Sequence, residues 1–217
     1  MNLFNSKDFK VFDVAGFEER MAALRGRIQP KLAEIGEALA PGVAGLVDRP
    51  LHVHVAKHMR RTVNPPDDTW VALGADKRGY KKDVHFKIAV SRNCVRLLFE
   101  LGPEYYEKAE WALKWKRDIR LVTSTLESGK KLAWFKDEHD EQPASELSGW
   151  SGTELAGLGQ EVTRRKDGHL VIGRRIDYDE FIGLNSPKFK RIAMATFRSV
   201  APLFSIHEPR VIAMARA

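Results

Sequence analysis

Between Leu51 and Leu101 the chain passes through four strand-length segments in succession, joined by turns and not by helices. Consecutive short strands joined by turns imply an antiparallel meander. Leu51-His52-Val53-His54-Val55 alternates apolar and polar residues, the period of a strand with one buried face, and puts both histidines on the other face. Trp70 to Leu73, Phe86 to Val90 and Val95 to Leu101 follow; the last is largely apolar on both faces and reads as central. Asn64-Pro65-Pro66-Asp67-Asp68 reads as a rigid loop, because consecutive prolines donate no ladder hydrogen bonds and Asp favours turns. Asp76 to Lys82, centred on Gly79, reads as the turn between the second and third strands.

Helices are expected on both sides of this block. Phe17, Met21, Leu24, Ile28, Leu32, Ile35 and Leu39 recur every three or four residues, the stripe of a helix buried on one side. Pro30 interrupts it and predicts a kink near Gln29 or two shorter helices, and Pro41-Gly42 predicts the end. Pro103 suits a first helical position, with Tyr106, Trp111, Trp115, Ile119 and Val122 as the apolar face as far as about Thr125. Ser151 to Glu154 has the spacing of a capping box, and a short helix with Leu155 and Leu158 is expected after it. Leu170 to Ile172 reads as an edge strand. Ser186-Pro187 reads as the cap and first turn of a last amphipathic helix ending at Pro202. The expectation is an α+β fold, one compact domain over residues 1–217, with an antiparallel meander of four to five strands flanked by helices. Residues 137–152, polar and broken by Pro143, form the best loop or subdomain boundary.

The 217 residues carry 36 Lys and Arg against 29 Asp and Glu, a formal charge of +7, which favours anionic partners. No apolar run approaches the length of a membrane span, and the first nine residues lack the apolar core of a signal peptide, so a cytoplasmic location is expected. The single cysteine, Cys94, reads as a small core residue.

Two groups of residues invite a functional reading. The first is His54, His58 and His85. His54 and His58 have the spacing of a helical zinc pair, but Val55 stands where that motif needs a glutamate, and the local pattern is a strand, so no metal is assigned. The second group is basic: Lys57, Arg60 and Arg61 before the proline loop, and Lys77, Arg78, Lys81 and Lys82 after the second strand, with Asn64, Trp70 and Tyr80 as neutral or aromatic neighbours. Sheet pairing is expected to bring the two basic runs together at one edge as phosphate donors, with Trp70 and Tyr80 offering ring faces to a base. The acidic run Asp137 to Glu141 reads as a hydrated loop, and Gly157-Leu158-Gly159 lacks the context of a dinucleotide loop.

The string from His54 to Ala72, with Lys77-Arg78-Gly79-Tyr80-Lys81-Lys82 and His85-Phe86, resembles the YktB-like family of uncharacterised bacterial proteins. The opening Lys7 to Phe12, Glu19-Arg20-Met21, Pro30-Lys31 and Ala201-Pro202-Leu203 share the likeness. It implies an antiparallel sheet flanked by helices, and it implies no activity or cofactor. Three functions stay open on the residues themselves. One is binding of a phosphate-bearing ligand, a nucleotide or RNA, at the basic, histidine-bearing edge. The second is a phosphate-ester hydrolase or transferase using His54, His58 or His85 as general acid or base. The third is docking of an acidic protein partner.

Overall fold

A computed structural model describes residues 1–59, 61–204 and 206. The chain opens with a short helix, α1 (Ser6–Phe9), closed at its start by a reciprocal capping box between Asn5 and Asp8. A 3-10 turn follows, then α2 (Phe17–Ala23) and, after a π turn over Leu24–Ile28, α3 (Gln29–Val47). The kink expected near Gln29 is thus that π turn, which lets the helix pass Pro30 without its missing N–H. Pro41 does not end the helix. It lies on the solvent side together with Glu37, so the carbonyl that loses its partner to the proline is not buried. Asp48, in the left-handed conformation, is the actual stop.

The meander is β1 (His52–Val55), β2 (Asp68–Gly74), β3 (His85–Ser91) and β4 (Cys94–Leu101), each antiparallel to the one before. β2 begins at Asp68, inside the stretch read as loop. Pro103 does not start a helix: α4 (Lys108–Arg117) begins later, and α5 (Ile119–Ser128) is a separate helix after a break at Asp118. Tyr106 is consequently exposed and no part of the apolar face. The polar stretch beyond adds β5 (Ala133–Phe135) and β6 (Ser145–Glu146) to the same sheet.

α6 (Gly152–Arg164) starts from the expected capping box of Ser151 and Glu154. β7 (Leu170–Asp177) is eight residues long and lies between β4 and β5, so it is an inner strand and not an edge. After α7 (Tyr178–Ile182), α8 (Ser186–Phe204) is capped by the Asn185 side chain, which accepts from the Lys188 N–H at 2.9 Å; Ser186 is not the cap, and Pro202 lies inside the last turn.

Among the described residues the sheet therefore has seven strands in the order β1-β2-β3-β4-β7-β5-β6, not four to five, and β4 is central as its apolar run implies. Val71, Leu73, Phe86, Ile88, Leu97, Phe99 and Ile172 line one face, against which α3 packs over β1 and β2 and α8 over β4 and β7. Gly36 allows this approach, since a Cβ there would sit 2.8 Å from Val71 and 2.9 Å from Val53. Phe86 stacks on Phe204 at 5.4 Å and meets Phe197 edge-on at 5.3 Å, contacts worth about 0.5–1.5 kcal/mol each beyond their burial. No described helix is long and apolar enough to cross a membrane.

Candidate functional site

The opposite face of the sheet follows from the two-residue period of the same strands. Register sets Trp70, Ala89, Arg96 and Arg175 in one row, Ala72, Lys87, Leu98 and Gly173 in the next, and His85, Glu100 and Val171 in a third. Ala72 and Ala89 are small, and the space they leave is filled by the Trp70 ring with the Lys87 ammonium 4.1 Å from its centre. Lys87 and Arg96 are both fully buried. Taking an ion out of water costs several kcal/mol, so each needs close partners.

The partners come from the sheet and from the loop between β5 and β6. Lys87 donates to Glu100 at 3.3 Å and, more closely, to Glu138. One guanidinium nitrogen of Arg96 donates to Asp68 at 2.6 Å, and the other to the carbonyls of Glu138 and Asp140 at 2.8 and 2.7 Å. His139 closes the group through Nδ1, 2.9 Å from Asp68. Glu141 accepts from Asn93, and its carbonyl accepts from Arg175 at 2.8 Å. The acidic run expected to be a hydrated loop is instead a cover clamped to the sheet by Arg96, Lys87 and Arg175.

Each charge state follows from these contacts. Burial pushes the Asp68 carboxyl up, but the hydrogen bond from His139 and the Arg96 charge win and hold it below its ordinary value. Glu100 is likewise held down by Lys87 and His85 against its burial, while Glu100 and Glu138 keep Lys87 above its ordinary value. His139 is raised by its bond to Asp68. His58 has the opposite fate: burial pushes it down to about 4 against the attraction of Asp68.

The aromatic and imidazole residues expected at the site do converge around Trp70. The Trp70 indole donates to the Tyr80 hydroxyl at 2.8 Å; His58 meets the Trp70 ring at 5.3 Å, and Tyr80 meets His85 at 4.7 Å and His54 at 5.6 Å. His58 reaches inward because its backbone is left-handed (φ 52°), a conformation uncommon outside glycine, and its Nε2 lies 3.0 Å from the Thr69 hydroxyl. Trp70 itself is buried under Lys87, so it is the floor of the cluster and not an open stacking surface. His85 is buried too, 3.4 Å from Glu100 at an angle that leaves Nε2 without a formed hydrogen bond. His54 lies 3.0 Å from the Asp76 carbonyl and is lowered by burial. A pocket of about 30 Å³ beside Tyr80, His85, Glu100 and Glu138 has room for a water and for nothing larger.

The basic residues are arranged otherwise than expected. Lys57, Arg61, Asn64, Lys77, Arg78 and Lys82 are exposed, and Lys81 is half-buried with its ammonium 3.8 Å from Glu104. Arg60 lies outside the described residues. Because β1 and β2 are antiparallel, Lys57 and Arg61 sit beside the start of β2 and the run at 77–82 beyond its end. Seven residues of strand part them, about 20 Å. The stretch between β1 and β2 is held at its ends, Gln29 donating to the Ala56 carbonyl and Arg20 to that of Pro66, which leaves Met59 and Val63 exposed at its tip.

Asp68, Lys87, Arg96, Glu100, Glu138 and His139, which knit the cluster together, are not among the residues expected there. A signal for the sheet members is present in His85-Phe86-Lys87-Ile88 and Arg96-Leu97-Leu98-Phe99-Glu100, where the polar residues fall on one parity. For Glu138 and His139 no local pattern points to the sheet. Among the described residues, no three His, Cys, Asp or Glu side chains are placed to hold a metal ion. Cys94 is buried beside Ser91 with its thiol pushed up by burial, as befits a core residue.

Fold and cluster together define a mixed helix-and-sheet protein whose single antiparallel sheet carries an apolar face and a buried ionic face. Residues 4–204 match the family described as domain of unknown function DUF1054, and the chain belongs to that family. It is 32% identical over 203 residues to a UPF0637 protein of Bacillus licheniformis, covering 94% of this chain and 95% of that one. It is 33% identical to UPF0637 proteins of Oceanobacillus iheyensis, over 206 residues (95% and 97%), and of Bacillus thuringiensis, over 207 residues (95% and 98%). The likeness to the YktB-like family seen in the sequence agrees with these matches.

Proposed function

We propose that the chain acts as one cytoplasmic domain that binds single-stranded RNA along the edge carrying β1, using the two exposed basic runs as separate phosphate contacts. The observation that carries this reading is their separation. A single phosphate or nucleotide does not bridge about 20 Å, whereas a strand with a charge on every residue meets both runs at once. Lys57 and Arg61 serve one end and Lys77, Arg78, Lys81 and Lys82 the other. Asn64 and Tyr80 supply neutral contacts, and the exposed Met59 and Val63 offer apolar contact to bases. The buried ionic cluster is the rigid support that holds both runs in place.

Catalysis on a phosphate ester has less support: His85 is buried, His54 is occupied by the Asp76 carbonyl, and His58, down to about 4, is a weak base at neutral pH. The test is fluorescence anisotropy with a labelled oligouridine across a salt series. Neutralising about six phosphates predicts a slope of log affinity on log salt of about −4, a loss of roughly 250-fold between about 50 and about 200 mM. Absence of binding at low salt, or binding untouched by alanine at both runs, overturns the reading.

A further inference from the structure

On the other side of the sheet, where the helices pack, lies an open cleft of about 460 Å³ that owes nothing to the edge just described. Its long wall is one stripe of α8, with Lys188, Arg191, Ile192, Ala195 and Ser199 at helical steps of three and four. The opposite wall is the end of α5 and the turn after it, with Ser128 and Lys130, and Arg174 of β7 forms the floor. Four cations thus face one space, and among the described residues no carboxylate lines it.

Arg174 is the least ordinary of the four. Its side chain is only 13% exposed, one terminal nitrogen donates to Glu180 at 2.9 Å, and its buried Nε has no hydrogen-bond partner among the described residues. That Nε is sealed from the cleft, so what Arg174 offers a ligand there is the positive charge of a guanidinium kept mostly out of water, which attracts an oxyanion more strongly than a solvated cation does. The hydroxyls of Ser128, Thr196 and Ser199 donate to carbonyls of their own helices, so towards a ligand they act as acceptors. Ile192 and Ala195 add a small apolar patch.

We infer that this cleft binds the phosphate monoester of a small hydroxylated molecule, with Arg174, Lys130, Lys188 and Arg191 on the phosphate and the hydroxyl-lined wall of α8 accepting from the hydroxyls of the ligand's body. The volume is that of a small-molecule site. A dianionic monoester matches a site of two guanidiniums and two ammoniums better than a monoanion does.

The test is titration of the full chain with glucose 6-phosphate, inorganic phosphate, glucose and sulfate at constant ionic strength, read by amide shifts in nuclear magnetic resonance spectra. Glucose 6-phosphate is expected to move amides at 128–130 and 188–199, to bind at least tenfold tighter than sulfate or inorganic phosphate, and to lose at least tenfold in the double variant Lys130→Gln with Arg191→Gln. Those two residues are exposed, so the variant keeps its fold. Lys77→Ala with Arg78→Ala, on the far side, is expected to change nothing here, which separates this site from the RNA edge. No shifts at millimolar glucose 6-phosphate, equal binding of inorganic phosphate, or full binding by the Lys130 and Arg191 double variant would each overturn the inference.

Discussion

The two faces of the sheet are built from alternate residues of the same strands, yet they are held by different physics. Facing the helices, Phe86, Ile88, Leu97 and Phe99 bury apolar area without regard to direction, so neighbours of similar volume can substitute for one another. Facing the β5–β6 loop, Asp68, Lys87, Arg96 and Glu100 are as deeply buried, and each depends on particular partners at particular angles. The first face supplies stability that depends on filled volume. The second also fixes where a loop and a turn must lie.

Removing a residue from each separates the two faces by what restores the loss and where it is felt, not by its size. Phe86→Ala and Arg96→Met should both cost about 3–5 kcal/mol in urea unfolding, the first as a cavity and the second as a buried Asp68 with only His139 bonded to it. Adding Asp68→Leu to Arg96→Met should return part of the loss, since an apolar pair can replace a buried ion pair, whereas no second substitution of that kind rescues Phe86→Ala. Hydrogen exchange at residues 137–141 should quicken far more in Arg96→Met than in Phe86→Ala, because Arg96 holds the carbonyls of Glu138 and Asp140 and Phe86 faces the other way. Equal exchange in the two variants would mean that the loop is not clamped by the ionic face.

The apolar face can be read from the chain almost residue by residue, and the ionic face cannot. Alternation in β1 and β3 and the apolar run of β4 are local, so the meander and its order are legible. β7 reads as a short edge strand because only Leu170-Val171-Ile172 is apolar and Gly173-Arg174-Arg175 ends the run. Only its pairing with both β4 and β5 makes it an inner strand. β5 and β6, three and two residues long, leave no periodic trace. The ion pairs depend on contacts between residues 28 and 71 positions apart, Arg96 with Asp68 and Asp68 with His139, which no local pattern encodes. Strand register puts His54 and His85 on one face, whereas His58 joins them through its left-handed backbone and Tyr80 through the turn after β2. The basic runs would converge only if the turns beside them folded back along β2, and they lie instead at its opposite ends.

A next-smaller effect concerns acid. Asp68 and Glu100 have folded values below their unfolded ones, so the stability they contribute is complete above the ordinary carboxylate range and is lost as pH falls through the folded values. Lys87→Met should reverse the sign at Glu100: burial then outweighs His85, the folded value rises above the unfolded one, and stability falls as pH rises from about 4 to about 7. A urea midpoint in that variant that follows the same pH course as the unsubstituted chain over this range would show that His85 alone holds Glu100 down.

His58 and His139 offer a gentler comparison within the ionic face, since both flank Trp70. His58 should titrate at about 4 and His139 above 6.5 in a carbon-proton correlation series. Between those limits the unfolded chain takes a proton that folded His58 refuses, so His58 makes stability rise with pH from about 4 to 6.5. His139 contributes fully below 6.5 and loses its contribution as pH rises through its folded value. Asp68→Asn should bring His139 back towards 6.5 and push His58 lower still, because Asp68 attracts the protonated form of both. If only one of the two imidazoles moved, Asp68 would not be their common partner.

The smallest effect on stability separates buried cations from exposed ones of the same chemistry. Lys77→Ala with Arg78→Ala removes two charges from the rim, and because both side chains are exposed the unfolding free energy should change by no more than about 0.5 kcal/mol. The same pair should still make the salt slope for oligouridine shallower, by about 0.7 for each phosphate no longer neutralised. Lys57→Ala with Arg61→Ala should do the same from the other end of β2, and the two pairs should add, since about 20 Å of strand lies between them. A loss of affinity that appears in full with either pair alone would place every phosphate at one end and remove the reason for preferring an extended strand to a single nucleotide.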